Sequence, residues 1–183
     1  MTTVGVIGLG IMGGAISANL VKRGFAVRGF DVDAAAVGRL KTNGGTPVAT
    51  PAEAASGADV ALTSLPSVKA LEATVRALLK RPAKGLVVCE LSTFTIADKE
   101  KARKALAKGG ITLLDCPLSG TGSQAATGDL VVYASGDIAR PRYCGPYTSR
   151  KVASDEALAV FRVLVLERHC TVGSMASRST RAR

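Results

Sequence analysis

The sequence predicts a doubly wound α/β domain, in which a mostly parallel sheet carries helices on both faces. Strand-like and helix-like segments alternate six times within about the first 115 of the 183 residues. Ala, Val, Leu and Gly dominate the apolar residues, and aromatic residues make up only 4% of the chain. Small apolar side chains suit parallel strands that are closely packed by helices, so composition and alternation favour the same architecture.

The first predicted unit is an apolar strand, Thr3–Ile7, followed by a glycine turn and a helix over Ile11–Arg23. The turn has the spacing G-x-G-x-x-G, formed by Gly8, Gly10 and Gly13. In a dinucleotide-binding turn the first glycine permits the tight bend, the second lets the backbone approach a pyrophosphate, and the third lets the helix lie close to the strand. Residues at helical spacing are predicted to form the inner face of the helix: Ile11, Ala15, Ala18 and Val21.

An acid follows this turn at the distance that a dinucleotide-binding unit requires. The second predicted strand, Phe25–Phe30, ends at Asp31. A carboxylate there accepts hydrogen bonds from the adenosine ribose, and its charge disfavours the 2′-phosphate of NADP. Arg28 lies inside the strand and is expected to point away from the ribose, so the pattern predicts NAD in preference to NADP.

Capping residues and glycine or proline breaks delimit the remaining elements. Strands are predicted at 46–48, 59–65, 86–91 and 111–115, and helices at 33–41, 51–56, 68–80 and 95–108. The residues predicted to cap these helices are Asp33, Thr50, Ser67 and Thr95. Segment 117–128 is rich in Gly, Ser and Thr and is predicted to be a loop, and 130–135 is predicted to be a strand. Residues 1–137 thus form the predicted dinucleotide-binding domain. Residues 138–173 are an atypical continuation with one helix and a short strand, and 174–183 are a disordered basic tail.

Charge and cysteine usage narrow the functional classes. The formal net charge is +10, but no helix-turn-helix, zinc finger or aromatic stacking motif accompanies it, so a solvated basic surface is favoured over nucleic-acid binding. The apolar N-terminus lacks a preceding basic region and is interrupted by glycines, which disfavours a signal peptide or a membrane span and predicts a cytoplasmic protein. The four cysteines form no C-x-x-C pair, so no metal site is predicted, Cys89 is assigned to the core, and the single His169 to a structural or exposed position.

Several stretches together resemble the β-hydroxyacid dehydrogenases, a family that includes 3-hydroxyisobutyrate dehydrogenase and shares its N-terminal domain with 6-phosphogluconate dehydrogenase. The matching stretches are Gly8–Gly13, Asp31, Ser64–Pro66, Leu91–Thr93 and Asp115–Thr121, followed by Ala125, Gly128 and Leu130. Asp115–Thr121 is the most specific because it corresponds to the substrate-binding signature of the family. The family usually has a second glycine where Thr121 stands.

The resemblance implies a Rossmann-like fold, a nicotinamide cofactor and hydride transfer between that cofactor and a 3-hydroxy acid or semialdehyde. The implied cofactor-binding residues are Gly8, Leu9, Gly10, Ile11, Met12, Gly13, Asp31, Leu65, Pro66 and Thr93. The residues implied to bind the carboxylate end of the substrate are Ser119, Gly120 and Thr121.

The C-terminal part departs from the family. The resemblance places a catalytic lysine after a Val-Gly turn such as Val172-Gly173, but Ala182 stands near its position. Arg181 and Arg183 cannot replace it because a guanidinium does not release its proton near neutral pH. The resemblance also implies a helical domain with which the family closes its substrate site and dimerises, and we expect no counterpart of it here. We therefore expect a truncated or frame-shifted gene, NAD binding weaker than in intact relatives, and little or no dehydrogenase activity.

Three other functions remain open from the sequence. An imine reductase would have a similar N-terminal domain. A non-catalytic dinucleotide-binding or interaction protein would bind NADH without turnover. A nucleic-acid binder would use the basic tail and would show steeply salt-dependent binding.

Overall fold

The computed structural model of the chain describes residues 1–135, which form a six-stranded parallel sheet flanked by helices. The strands are β1 (Thr3–Ile7), β2 (Ala26–Phe30), β3 (Thr46–Pro47), β4 (Val60–Thr63), β5 (Val87–Glu90) and β6 (Thr112–Asp115). Their order in the sheet is β3-β2-β1-β4-β5-β6, with every neighbouring pair parallel. This arrangement confirms the predicted doubly wound, Rossmann-like fold. The strand order reverses direction between β1 and β4, which is where open α/β sheets bind ligands.

Six helices accompany these strands in the described part of the chain, namely α1 (Ile11–Lys22), α2 (Ala34–Thr42), α3 (Pro51–Ala55), α4 (Val68–Lys80), α5 (Ile96–Ala107) and α6 (Gly122–Thr127). The predicted caps are confirmed, because the side chains of Asp33, Thr50, Ser67 and Thr95 each accept a hydrogen bond from a backbone N–H in the first turn of their helix. The sequence therefore located the starts of these helices through ordinary capping chemistry.

Two apolar clusters cover the two faces of the sheet. One joins Val4 and Val6 of β1 to α1 and α2, and the other joins Ile7 to α3, α4 and α5. Alternating residues of β1 thus serve opposite faces, as expected for a strand buried on both sides. Cys89 is buried in the first cluster, which confirms its assignment to the core.

The inner face predicted for α1 is only partly correct. Ala15 and Val21 pack against the core while partly buried, but Ile11 is 80% exposed, and the fully buried residues of α1 are Gly13, Ile16, Ser17 and Leu20. The phase of the helix is set by Gly13, which must face the preceding turn, since a Cβ there would collide with the carbonyl oxygen of Gly8. The buried face of α1 therefore includes this glycine and the residues at helical spacing after it, and it does not include the first apolar side chain, Ile11.

The loop predicted at 117–128 is also wrong, because this segment contains two short elements. β7 (Leu118–Ser119) pairs in antiparallel fashion with β8 (Val131–Val132), and α6 lies between them. The strand predicted at 130–135 is therefore shorter and belongs to this small hairpin, although Ser135 still forms a bridge with Asp115. α6 packs on α1, where the side-chain amide of Asn19 donates to the carbonyl of Ala125 over 2.7 Å.

The C-terminal predictions concern residues outside the described range. They include the continuation at 138–173, the tail at 174–183, and the assignments made for His169 and Ala182. Within residues 1–135, no helix combines the length and apolar character needed to cross a membrane.

Candidate functional site

The glycine turn between β1 and α1 is closely packed on one side and open on the other. Gly8 has φ of +93°, and a Cβ there would collide with the carbonyl oxygen of Ser64 after β4. Around Gly10, by contrast, a Cβ would meet no atom within 4 Å. Gly10 is the N-cap of α1, and no side chain caps the helix. The first N–H groups of α1 therefore remain available to an anion, at the positive end of the helix dipole.

Asp31 lies at the carboxyl end of β2 and braces this turn. One carboxylate oxygen accepts a hydrogen bond from the backbone N–H of Leu9 over 2.5 Å, and the other accepts one from Asp33 over 2.9 Å. Arg28 points elsewhere, since its guanidinium donates to the carbonyl oxygen of Ser56. The Asp31 carboxylate is thus hydrogen-bonded to the glycine turn, whereas the Arg28 side chain is bonded elsewhere.

A cavity of about 690 Å³ opens along this edge of the sheet. It brings together most of the residues predicted to bind a cofactor, namely Gly8, Gly10, Ile11, Met12, Asp31, Leu65 and Pro66. Three predicted residues lie outside its lining. The side chain of Leu9 is buried in the core, Gly13 faces the turn, and Thr93 is exposed after β5.

The segment predicted to bind substrate lies beside the same turn. Gly122, the first residue of α6, approaches the side chain of Ile11 so closely that a Cβ would collide with it. Thr121 has a local role, because its hydroxyl accepts from the N–H of Gln124 over 3.3 Å while the Gln124 side chain accepts from the N–H of Thr121 over 2.9 Å. This capping box accounts for a threonine at this position. Ser119 and Gly120 are exposed.

Sequence reasoning missed a buried ionic cluster beneath this edge. The ammonium group of Lys99 in α5 lies 3.0 Å from Glu90 Oε2, donates to the carbonyl oxygen of Ser92 over 2.6 Å, and donates to the carboxylate of Asp115. Lys99 occupies the first half of a helix rich in charged residues, where a solvated lysine is the ordinary expectation. The sequence feature that could have indicated a buried cation is a pair of acids, Glu90 and Asp115, each at the end of an apolar strand.

The two described cysteines do not extend the chemistry of the site. Burial raises the pKa of the Cys116 thiol well above its ordinary value, and the hydrogen bond that the neutral thiol forms with the neighbouring Cys89 adds to the effect. A thiol held in its neutral form is a poor nucleophile and a poor metal ligand. Among residues 1–135, moreover, no group of three or more His, Cys, Asp or Glu side chains is arranged to hold a metal ion.

The residues present fit a dinucleotide. The open backbone at Gly10 leaves room for a pyrophosphate against the uncapped start of α1, and the cavity continues from there both to Asp31 and to Pro66. Residues 3–148 match the family model described as the NAD binding domain of 6-phosphogluconate dehydrogenase. The chain belongs to this family. Its members bind a nicotinamide dinucleotide, in agreement with the resemblance found in the sequence.

Individual relatives are oxidoreductases. The chain is 34% identical over 140 residues to an NAD-dependent L-serine dehydrogenase of Pseudomonas aeruginosa, covering 75% of this chain and 47% of that protein. It superimposes with a TM-score of 0.76 at 27% identity on Mycobacterium tuberculosis 3-hydroxyisobutyrate dehydrogenase with L-serine, covering 90% of this chain and 52% of the other. On a Streptomyces aurantiacus imine reductase it superimposes with a TM-score of 0.71 at 26% identity, and the match covers 89% of this chain and 53% of that enzyme. The chain thus spans about half the length of the relatives it matches.

Proposed function

We propose that the chain binds NAD at the carboxyl edge of its sheet and prefers it to NADP. The observation that carries this proposal is the position of Asp31, whose carboxylate is hydrogen-bonded to the backbone of the glycine turn. A carboxylate offers about four lone-pair positions, so two backbone bonds leave acceptors for the hydroxyls of the adenosine ribose. Its negative charge opposes a 2′-phosphate at the same point.

The other predicted residues bind the remaining parts of the cofactor and the substrate. The uncapped start of α1 at Gly10 binds the pyrophosphate, and Leu65 and Pro66 pack against the cofactor beyond β4. Ser119 and Gly120 are exposed in the segment that leads into α6, whose first residue Gly122 approaches Ile11, and they bind the carboxylate end of a substrate. Thr121 contributes through the helix that it caps.

The reaction class that we propose is hydride transfer involving a small hydroxy acid or the corresponding semialdehyde. Two named relatives support it, a serine dehydrogenase and a 3-hydroxyisobutyrate dehydrogenase. A bound nicotinamide supplies the hydride acceptor or donor. The substrate hydroxyl also needs a general acid/base, and the sequence has Ala182 near the position where the resemblance expects a lysine. We therefore expect turnover by this chain to be weak or absent while dinucleotide binding persists.

Two assays on the full chain test this proposal separately. Calorimetric titration with NAD+, NADH and NADPH reports binding, and we expect NADH to bind at least about tenfold more tightly than NADPH. Absorbance of NADH over a panel that includes L-serine and 3-hydroxyisobutyrate reports turnover. Equal affinity for NADH and NADPH would contradict the role of Asp31, and rapid turnover on this panel would contradict the expectation of weak or absent turnover.

A second candidate is reduction of an imine, supported by the likeness to the Streptomyces aurantiacus enzyme. An imine substrate has no hydroxyl from which a lysine must remove a proton. Turnover of a cyclic imine, with none on the hydroxy-acid panel, would favour this candidate. Tight NADH binding without turnover on either panel would favour a non-catalytic dinucleotide-binding protein.

A further inference from the structure

We propose that Lys99 is a positioning residue for the dinucleotide-binding edge: its ammonium group holds the loops after β4, β5 and β6 in one arrangement. This inference rests on the proposed function, because the edge that it fixes is the one assigned to NAD. Lys99 itself does not line the cavity. It acts through Ser92, which connects it to Leu65 at the cavity wall.

The cluster around Lys99 is buried and charged. The side chain of Lys99 is 7% exposed and that of Glu90 is fully buried, while Asp115 is 35% exposed. Lysine is almost never buried without partners. Glu90 and Asp115 occupy paired register positions at the ends of β5 and β6. One cation therefore joins the carboxyl ends of two neighbouring strands, at a depth where removing it would leave a carboxylate uncompensated.

A continuous chain of hydrogen bonds leads from this cluster to the cavity. Lys99 donates to the carbonyl oxygen of Ser92 over 2.6 Å, and the N–H of Ser92 donates to Glu90 Oε1 over 2.9 Å. The Ser92 hydroxyl accepts a bond from the backbone N–H of Leu65 over 2.8 Å. Leu65 lines the cavity. Lys99 and Glu90 thus fix the turn after β5 through hydrogen bonds with Ser92. The hydroxyl of Ser92 fixes the backbone that follows β4.

The contacts of the ammonium group are with the protein itself. It donates to the carbonyl oxygen of Ser92 and to the carboxylate of Asp115, and it lies 3.0 Å from Glu90 Oε2 as an ion pair. Because Lys99 does not line the cavity, it acts on a ligand there through these neighbours and not by direct contact. The remaining choice is between a residue that only stabilises the fold and one that also sets the geometry of the edge.

Paired variants separate these two roles. In Lys99→Met, we expect the midpoint of thermal unfolding to fall and NADH affinity to drop roughly three- to tenfold, because Ser92 loses its anchor. In Lys99→Met/Glu90→Gln no fully buried charge is left, and the Gln carbonyl can still accept from the N–H of Ser92. We expect this double variant to recover thermal stability but not NADH affinity.

The control is Lys101→Met. Lys101 lies on the same helix but is exposed, and it pairs with Glu72 over 2.7 Å. This substitution changes the net charge equally and should leave NADH affinity within twofold of wild type. Ser92→Ala deletes only the hydroxyl that bonds Leu65, and we expect it to weaken NADH binding in the wild-type background but to add little in the double variant.

The outcomes distinguish this inference from the function on which it rests. If the wild-type chain shows no saturable NADH binding, the proposed function fails. If the wild type binds NADH and the double variant binds it within twofold, Lys99 has only a stabilising role and the inference is overturned. Should Lys99→Met alone fail to fold, the double variant and Ser92→Ala still decide between these results.

Discussion

The carboxylate of Asp31 accepts a 2.5 Å hydrogen bond from the backbone N–H of Leu9, and this bond ties the end of β2 to the glycine turn. The acid proposed to recognise a ribose is therefore also bonded to the backbone that we propose binds the pyrophosphate. Replacing Asp31 by Ala removes the acceptor for both Leu9 and Asp33. We expect the free energy of unfolding to fall by roughly 1–3 kcal/mol. We also expect the preference for NADH over NADPH to disappear.

Chemical denaturation and parallel titrations with the two dinucleotides measure these effects. Thr95→Ala is a useful control, since Thr95 caps α5 through the N–H of Asp98 and does not line the cavity. It should cost stability without removing the preference for NADH. Retention of that preference in Asp31→Ala would show that another residue determines it.

Gly10 and Gly13 should respond in opposite ways to the same substitution. Gly10 has φ of −63° and open space around a Cβ, so Gly10→Ala should change the free energy of unfolding by less than about 0.5 kcal/mol. The added methyl group would nevertheless lie at the proposed position of the pyrophosphate, and we expect NADH affinity to fall at least about tenfold. Gly13→Ala would press a methyl group onto the carbonyl of Gly8 and should destabilise the fold by about 1–3 kcal/mol.

Thermal unfolding and NADH titration of the two variants provide the comparison. The informative result is the dissociation of binding from stability in Gly10→Ala. A Gly10→Ala chain that binds NADH as well as wild type would contradict the proposed pyrophosphate position.

Thr121 and Ser119 provide a similar contrast in the segment assigned to substrate. Thr121→Ala removes the cap of α6 and should cost about 1 kcal/mol in the free energy of unfolding. Ser119→Ala, at an exposed position, should leave that energy within about 0.5 kcal/mol. Urea denaturation measures both. A larger loss in Ser119→Ala than in Thr121→Ala would contradict the capping role of Thr121.

The Cys116 thiol predicts a loss of stability in alkaline solution. Burial raises the pKa of this thiol in the folded state. The contribution of the neutral thiol to the free energy of unfolding is therefore complete below the pKa of an unfolded thiol, about 8.5. Above that pH the unfolded chain loses the proton more readily than the folded chain, and the contribution is lost. The free energy of unfolding of wild type should therefore fall more steeply between pH 7 and pH 10 than that of Cys116→Ala. Denaturation curves across this range test the prediction, and equal slopes would refute it.

Local chemistry explains which features could be predicted from the sequence. The glycine turn, Asp31 and the caps at Asp33 and Ser67 depend on residues close together in the chain, and the structure brought most of the predicted cofactor residues to one cavity. The centre of the buried face of α1 was missed, because Gly13, which carries no apolar side chain, determines which face is buried.

Features that depend on distant segments could not be predicted in the same way. Lys99 is buried only because Glu90 and Asp115 end adjacent strands, and their adjacency follows from the strand order. α6 was assigned to a loop because its six residues include Gly, Ser and Thr. Its helical form depends on the Thr121 capping box and on packing against α1 at Asn19.

The most direct test of the account is a titration of the full chain with NADH, followed by the fluorescence of the bound nicotinamide, with Gly10→Ala in parallel. We predict saturable binding by the wild type with a Kd below about 1 mM and clearly weaker binding by the variant. The absence of saturation by wild type at millimolar NADH, with the chain shown to be folded, would contradict the assignment of this edge as a dinucleotide site.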